Sequence, residues 1–152
     1  MIMRNKILFV ASLFLCQVAY AIPVAQLTDL DGKPAQWSCS KNKVLVVFWG
    51  TWCAECKEKL KTALPELDRS PDVAVITINA DRDTGRAKNY VESEKIAVPV
   101  FADPSKEFRR ELKVFSVPHW AVYNRKSVAD AWQLVQAAPA FDWDQVKQAL
   151  AK

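Results

Sequence analysis

Val44-Leu-Val-Val-Phe-Trp-Gly-Thr-Trp-Cys53-Ala-Glu-Cys56 is the stretch on which the reading of the fold turns. Val44 to Trp49 is an unbroken apolar, valine-rich run, the pattern of a strand buried on both faces. Gly50 ends it. Beyond Cys53 the apolar spacing becomes helical: Leu60, Ala63, Leu64 and Leu67 recur at i, i+3, i+4 and i+7. Pro65 is expected to kink or end that helix, because proline lacks the N–H and its ring crowds the preceding turn. Two cysteines three residues apart therefore stand at a strand-to-helix junction. The first turn of a helix carries unpaired N–H groups and a partial positive charge, which favour a thiolate at Cys53. A thiolate, not a thiol, attacks a disulfide. Cys56, one helical turn on, is close enough to resolve the resulting mixed disulfide. Cys53 is the candidate nucleophile and Cys56 the candidate resolving thiol, expected to be the more buried.

Downstream, Val73 to Asn79 reads as a second buried strand, and Asp83 or Thr84 as the cap of a helix reaching Lys95 with Ala87, Tyr90 and Val91 inward. Val98 to Ala102 is a short strand. Asp103 as N-cap and Pro104 at the first helical position predict a helix with an apolar face of Phe108, Leu112 and Phe115. Trp120 to Tyr123 is a strand, Asn124 to Ser127 a turn, and Val128 to Leu134 the returning strand of a hairpin. Asp142 caps a last helix with Trp143, Val146 and Leu150 inward. Upstream, residues 22–42 form an irregular or short-stranded lead-in around the turn signal Asp31-Gly32-Lys33-Pro34. Alternating β and α units followed by a hairpin imply a mixed sheet with helices on both faces.

Residues 1–21 have the pattern of a secretory signal peptide: Arg4 and Lys6, then an apolar run from Ile7 to Cys16, then the small-x-small site Ala19-Tyr20-Ala21. An uncleaved membrane anchor is the alternative, disfavoured because the run is shorter than the roughly 20 residues a span needs. Residues 22–152 then form one domain, with no stable membrane insertion after cleavage. Export leaves Cys39, Cys53 and Cys56 in a compartment where disulfides persist, with Cys39 as the odd thiol.

The 152 residues, 51% hydrophobic and 25% charged, have globular composition, which sets disorder aside. Of the net charge of +4, two charges belong to Arg4 and Lys6, and the remaining bases are scattered among acids. No basic stripe exists, so a nucleic-acid footprint is not supported. Half of a zinc site and a fixed structural disulfide are the structural alternatives for the cysteine pair. Zinc needs about four ligands, and only Cys39 and His119 remain as soft partners. Haem attachment needs CxxCH, and residue 57 is lysine.

The WCxxC block, together with Val73-Ala-Val-Ile-Thr-Ile-Asn79, Val98-Pro-Val-Phe-Ala-Asp-Pro104 and Phe115-Ser-Val-Pro118-His-Trp-Ala-Val-Tyr-Asn124, resembles the thioredoxin superfamily, and within it the exported TlpA/ResA-like thiol-disulfide oxidoreductases. The resemblance spans about residues 25–152. It implies an α/β, thioredoxin-like fold and a thiol-disulfide oxidoreductase, expected as a periplasmic disulfide reductase that works through Cys53 and Cys56 without cofactor or metal. Its partners would be cysteine-containing exported proteins and a membrane or periplasmic redox partner that resets the pair. The resemblance also implies a cis Val117-Pro118 bond facing the dithiol, with Val117 and Pro118 lining the substrate site. Trp52, beside the nucleophile, is expected to be a partly exposed contact surface rather than core like the other tryptophans.

Three positions depart from the family pattern. Lys59 and Lys61 stand where relatives often carry glutamate and proline, and Val47 where cytoplasmic thioredoxins bury an aspartate. Glu58 neighbours the expected proton acceptor for Cys56, but one residue is about 100° around a helix. A solvated face is the favoured reading for Lys57, Glu58, Lys59 and Lys61. Glu55, between the cysteines, is expected to oppose a thiolate and favour a reducing pair, with Lys57 pulling the other way. His119, the sole histidine, is expected at the rim of the site, as a strand residue without a role, as a tuning residue, or as a copper ligand with Cys53 and Cys56. Copper-delivery relatives use CxxxC rather than CxxC. A thiol peroxidase would place threonine three before its reactive cysteine, where this chain has Gly50.

Overall fold

The computed structural model describes residues 22–152; the segment read as a signal peptide lies outside the described residues. The elements run β1 (Lys43–Trp49), α1 (Ala54–Lys61), α2 (Ala63–Asp68), β2 (Val73–Asn79), α3 (Thr84–Ser93), β3 (Val100–Ala102), α4 (Glu107–Glu111), β4 (His119–Asn124), β5 (Gln133–Pro139) and α5 (Trp143–Leu150). They build one sheet in the order β3-β2-β1-β4-β5. β1, β2 and β3 are parallel, whereas β4 runs antiparallel to β1 and β5 antiparallel to β4. This is the mixed α/β sheet that the strand pattern predicts.

β1 is apolar along its whole length because it is the middle strand and both its faces are covered. On one face Leu45, Val47 and Trp49 meet Leu60 and Leu64 of the first two helices, Ala87 of α3 and Val146 and Ala149 of α5. On the other Val44, Val46 and Phe48 meet Ile76, Phe108, Leu112, Tyr123 and the lead-in residues Ile22 and Leu27. Leu60 and Leu64 are fully buried, and each contributes roughly 1.5–3 kcal/mol to seating its helix on the sheet. The lead-in turn is present: Gly32 adopts φ +82°, and Thr28 bridges both Pro34 and Ala102, which covers the β3 edge. Among the described residues no helix is long and apolar enough to cross a membrane.

The structure corrects several local expectations. The helix after Cys53 breaks at Thr62 (φ −119°, ψ −87°), three residues before Pro65, because it is the Lys61 carbonyl that Pro65 can neither bond nor accommodate. Asp103 does not cap α4, which starts at Glu107 after Lys106 turns the chain at φ +58°; instead its carboxylate accepts the Arg109 N–H at 2.9 Å. Phe115 is 93% exposed rather than core. Lys113 at φ +53° ends the helix there, and Val114 takes the buried place. The returning strand begins at Gln133, since Ser127 and Asp130 close a turn and the Arg125 guanidinium lies 4.1 Å over the Trp132 ring. Only Trp49 and Trp120 are fully buried tryptophans; Trp37, Trp132 and Trp143 are half-buried.

Candidate active site

The site forms where β1 ends and β4 begins. Phe48 is paired with His119, so Val117 and Pro118 lie at the end of the sheet from which the chain leaves Trp49 for Cys53. The Val117-Pro118 peptide is cis. The same end carries the carboxyl end of β2, paired through Trp49 and Asn79. Crevices at the carboxyl ends of parallel strands are the usual ligand sites of such sheets.

Cys53 is the N-cap of α1. Its N–H donates to the Gly50 carbonyl at 2.9 Å, its carbonyl accepts the Lys57 N–H at 3.1 Å, and its Sγ accepts the Cys56 N–H at 3.2 Å. Cys53 and Cys56 are joined by a disulfide with Cα atoms 5.2 Å apart. Cys53 is 9% exposed and Cys56 2%, so Cys53 is the less buried of the pair, as expected of the nucleophile. In the reduced pair the donor on Cys53 Sγ would stabilise a thiolate, in addition to the helix terminus.

Trp52 is 63% exposed. Its indole lies over Gly50: a Cβ built there would come within 2.6 Å of the ring. Trp52 shares a hollow of about 310 Å³ with Val117, Val114, Phe115 and Arg109. The hollow adjoins a larger cleft of about 1140 Å³ at the ends of β2 and β3.

The turn before Cys53 is held by residues that the sequence reading did not single out. The Asp81 carboxylate accepts the Thr51 N–H at 3.0 Å, the Thr51 hydroxyl at 2.6 Å and the Asn79 side-chain amide at 2.6 Å. The Asp81 N–H donates back to Asn79 Oδ1 at 3.0 Å. The available signal was Asn79-Ala80-Asp81, polar residues closing an apolar strand, since a buried Asn needs partners. Nothing in the sequence marks Phe115 or Arg109 as a site residue: the spacing of Phe115 fits the apolar face of a helix, and Arg109 carries no local signal.

The remaining candidates are dispersed. Glu55 is exposed on the first turn of α1. The Glu58 carboxylate binds Lys59 at 2.8 Å and the Thr62 hydroxyl at 3.1 Å, which holds it below the usual glutamate range. It is thus engaged on the outer face rather than with Cys56. Lys57 extends over the Tyr90 ring, 5.7 Å from its centre. Cys39 is a partly buried free thiol whose Sγ accepts the Lys41 N–H at 3.2 Å.

His119 is 5% exposed and stacks edge-on against Phe48, in the cluster on the opposite face of the sheet from the one containing the dithiol. Burial lowers its pKa, and its Nε2 has no partner among the described residues. The copper alternative needs this ring beside both sulfurs. Among the described residues no three His, Cys, Asp or Glu side chains are placed to share a metal ion.

Comparison with known proteins agrees with this geometry. Over 105 residues the chain is 29% identical to the thiol-disulfide oxidoreductase ResA of Bacillus thuringiensis subsp. konkukian, an alignment covering 67% of this chain and 61% of the relative. The chain thus spans about three-fifths of the length of that curated relative. The fold is similar to that of the pneumococcal exposed lipoprotein thioredoxin Etrx1 of Streptococcus pneumoniae, with a TM-score of 0.65, 26% identity, and coverage of 82% of this chain and 96% of the other. It is also similar to StoA of Bacillus subtilis, with a TM-score of 0.61, 18% identity, and coverage of 82% and 93%. These likenesses identify the fold as thioredoxin-like, and because the Redoxin family profile matches residues 17–135, most of the chain, the protein belongs to the Redoxin family.

Proposed function

We propose that this protein is a thiol-disulfide oxidoreductase that works outside the cytosol as a disulfide reductase. The observation that carries the reading is the Cys53–Cys56 disulfide on the first turn of α1, with Cys53 the less buried of the two. In the reduced protein, the Cys53 thiolate attacks one sulfur of a substrate disulfide. That S–S bond breaks, a mixed disulfide forms, and the departing substrate thiolate takes a proton from water. The Cys56 thiol then gives up its proton and attacks Cys53 Sγ, and the second substrate thiolate leaves. Two electrons pass to the substrate, the proton released by Cys56 goes to solvent, the second substrate thiolate is protonated from solvent, and the protein is left with the disulfide present in this structure. A dithiol on a redox partner must restore the reduced pair.

We assign to Trp52, which precedes Cys53 in the chain, and to Val117, which lines the same hollow as Trp52, the apolar contact with the substrate chain. The apolar run after Arg4 and Lys6 supports export, as does the use of a disulfide pair in a chain related to ResA. Trapping tests the mechanism. Cys56→Ser should accumulate a mixed disulfide through Cys53 when mixed with a reducible protein substrate, and Cys53→Ser should accumulate none. Equal trapping by the two variants, or none by either, would contradict it.

A further inference from the structure

Arg109 is the one charged residue that lines both the hollow beside Trp52 and the larger cleft next to it. Its backbone is fixed: the N–H donates to Asp103 and the carbonyl accepts the Val114 N–H at 2.9 Å. Its side chain has no such engagement. Neighbouring Arg110 reaches Glu107, yet among the described residues no hydrogen bond or ion pair uses the Arg109 guanidinium, and its buried Nε has no partner. The terminal guanidinium nitrogens are neither buried nor partnered among the described residues, so they are open to an acceptor arriving from outside.

The acids at hand do not fill it. Asp103 is turned to the Arg109 N–H and the Ser105 hydroxyl, and Asp81 to Thr51 and Asn79. Arg82 and Arg86, farther along the cleft, likewise have no side-chain partner among the described residues. A guanidinium presents a planar fork of donors matched to a carboxylate. Because the cleft lining sets four aspartates against four basic residues, the local charge is balanced and selection acts through short-range hydrogen bonding at the guanidinium more than through a long-range field. Apart from Ser116, the other walls of the hollow, among them Trp52, Val114, Phe115 and Val117, are apolar, and Trp52 is the chain neighbour of Cys53.

We infer that Arg109 selects polypeptide substrates that carry a glutamate or aspartate within a few residues of the cysteine to be reduced, the carboxylate meeting the guanidinium while a neighbouring apolar side chain enters the hollow at Trp52 and Phe115. This rests on the oxidoreductase reading and names the substrate class of the same site.

The test uses the reduced protein and two disulfide-bridged peptides that differ only in Glu or Gln beside the cysteine. The Glu peptide should be reduced about tenfold faster, the size expected of one charge-assisted hydrogen bond. In Arg109→Gln the ratio should fall towards one, and Arg109→Glu should favour a third peptide bearing Lys at that position. Equal rates for the Glu and Gln peptides with the unaltered protein would overturn the inference while leaving the oxidoreductase reading intact, and so would an unchanged ratio in Arg109→Gln. Reduction of none of the peptides would overturn both.

Discussion

Asp81 holds Thr51 by two hydrogen bonds, 3.0 Å from the backbone N–H and 2.6 Å from the hydroxyl, and so ties the turn before Cys53 to the end of β2. Thr51 is two residues from Cys53. Gly50, on its other side, accepts the Cys53 N–H. The position of the dithiol therefore depends on a carboxylate that never touches it.

Replacing Asp81 by Ala removes the acceptor for Thr51 and for the Asn79 amide. The expected loss of stability is about 1–3 kcal/mol, because Asn79 is buried and would lose a partner. Asp81→Asn, which keeps one carbonyl acceptor, should cost less. Denaturant midpoints at constant m-value check both. If Asp81→Ala is as stable as the parent, the clamp is not a structural tie.

Gly50 and Trp52 are also coupled. A methyl group at residue 50 would press into the indole, which is free to swing outward because it is exposed. Gly50→Ala is expected to change stability little but to alter Trp52 fluorescence and slow the reduction of protein substrates. Trp52→Ala should leave stability within about 0.5 kcal/mol while also slowing that reduction. A rate unchanged in both variants would remove Trp52 from the contact surface.

Leu60→Ala tests how the dithiol helix is seated. The side chain is fully buried beneath α1, so the loss should be about 2–5 kcal/mol, measured by chemical denaturation. A loss below that range would mean that the site can collapse around the missing atoms.

His119 gives the fold a pH dependence whose sign follows from its burial. The folded protein holds the ring neutral with a pKa below the ordinary 6.5, so below that pH the unfolded chain binds more protons. Stability should be unaffected by this group above about pH 6.5 and should fall as the pH drops from there through the depressed folded value. His119→Phe keeps an aromatic ring against Phe48 and removes the titration. Its stability should decline less between pH 7 and pH 5 than that of the parent, as read from denaturation curves at each pH. An equal decline in the two proteins would show that other groups carry the dependence.

Elements whose periodicity is dictated by burial were legible in the sequence. β1 and β2 are central, covered on both faces, and therefore written as unbroken apolar runs. The dithiol was legible because its chemistry demands the residues at that spacing, and the cis Val117-Pro118 bond followed from family resemblance alone. What escaped was set by tertiary geometry. Phe115 matched the apolar face of its helix until the left-handed turn at Lys113 pointed it outward. His119 lies next to Pro118 in sequence, but strand alternation sends its ring to the opposite face from the sulfurs. Asp81 and Arg109 enter the site only because β2, α4 and the turn before Cys53 converge; no local pattern marks such a meeting.

The most direct test of the central claim is the reduction potential of the Cys53–Cys56 pair, measured by equilibrating the protein in dithiothreitol or glutathione buffers. A reductase should equilibrate near or below about −250 mV, the thioredoxin end of the range. A value near about −120 mV would make the pair an oxidant and reverse the proposed direction, and a pair that cannot be cycled at all would contradict the oxidoreductase reading itself.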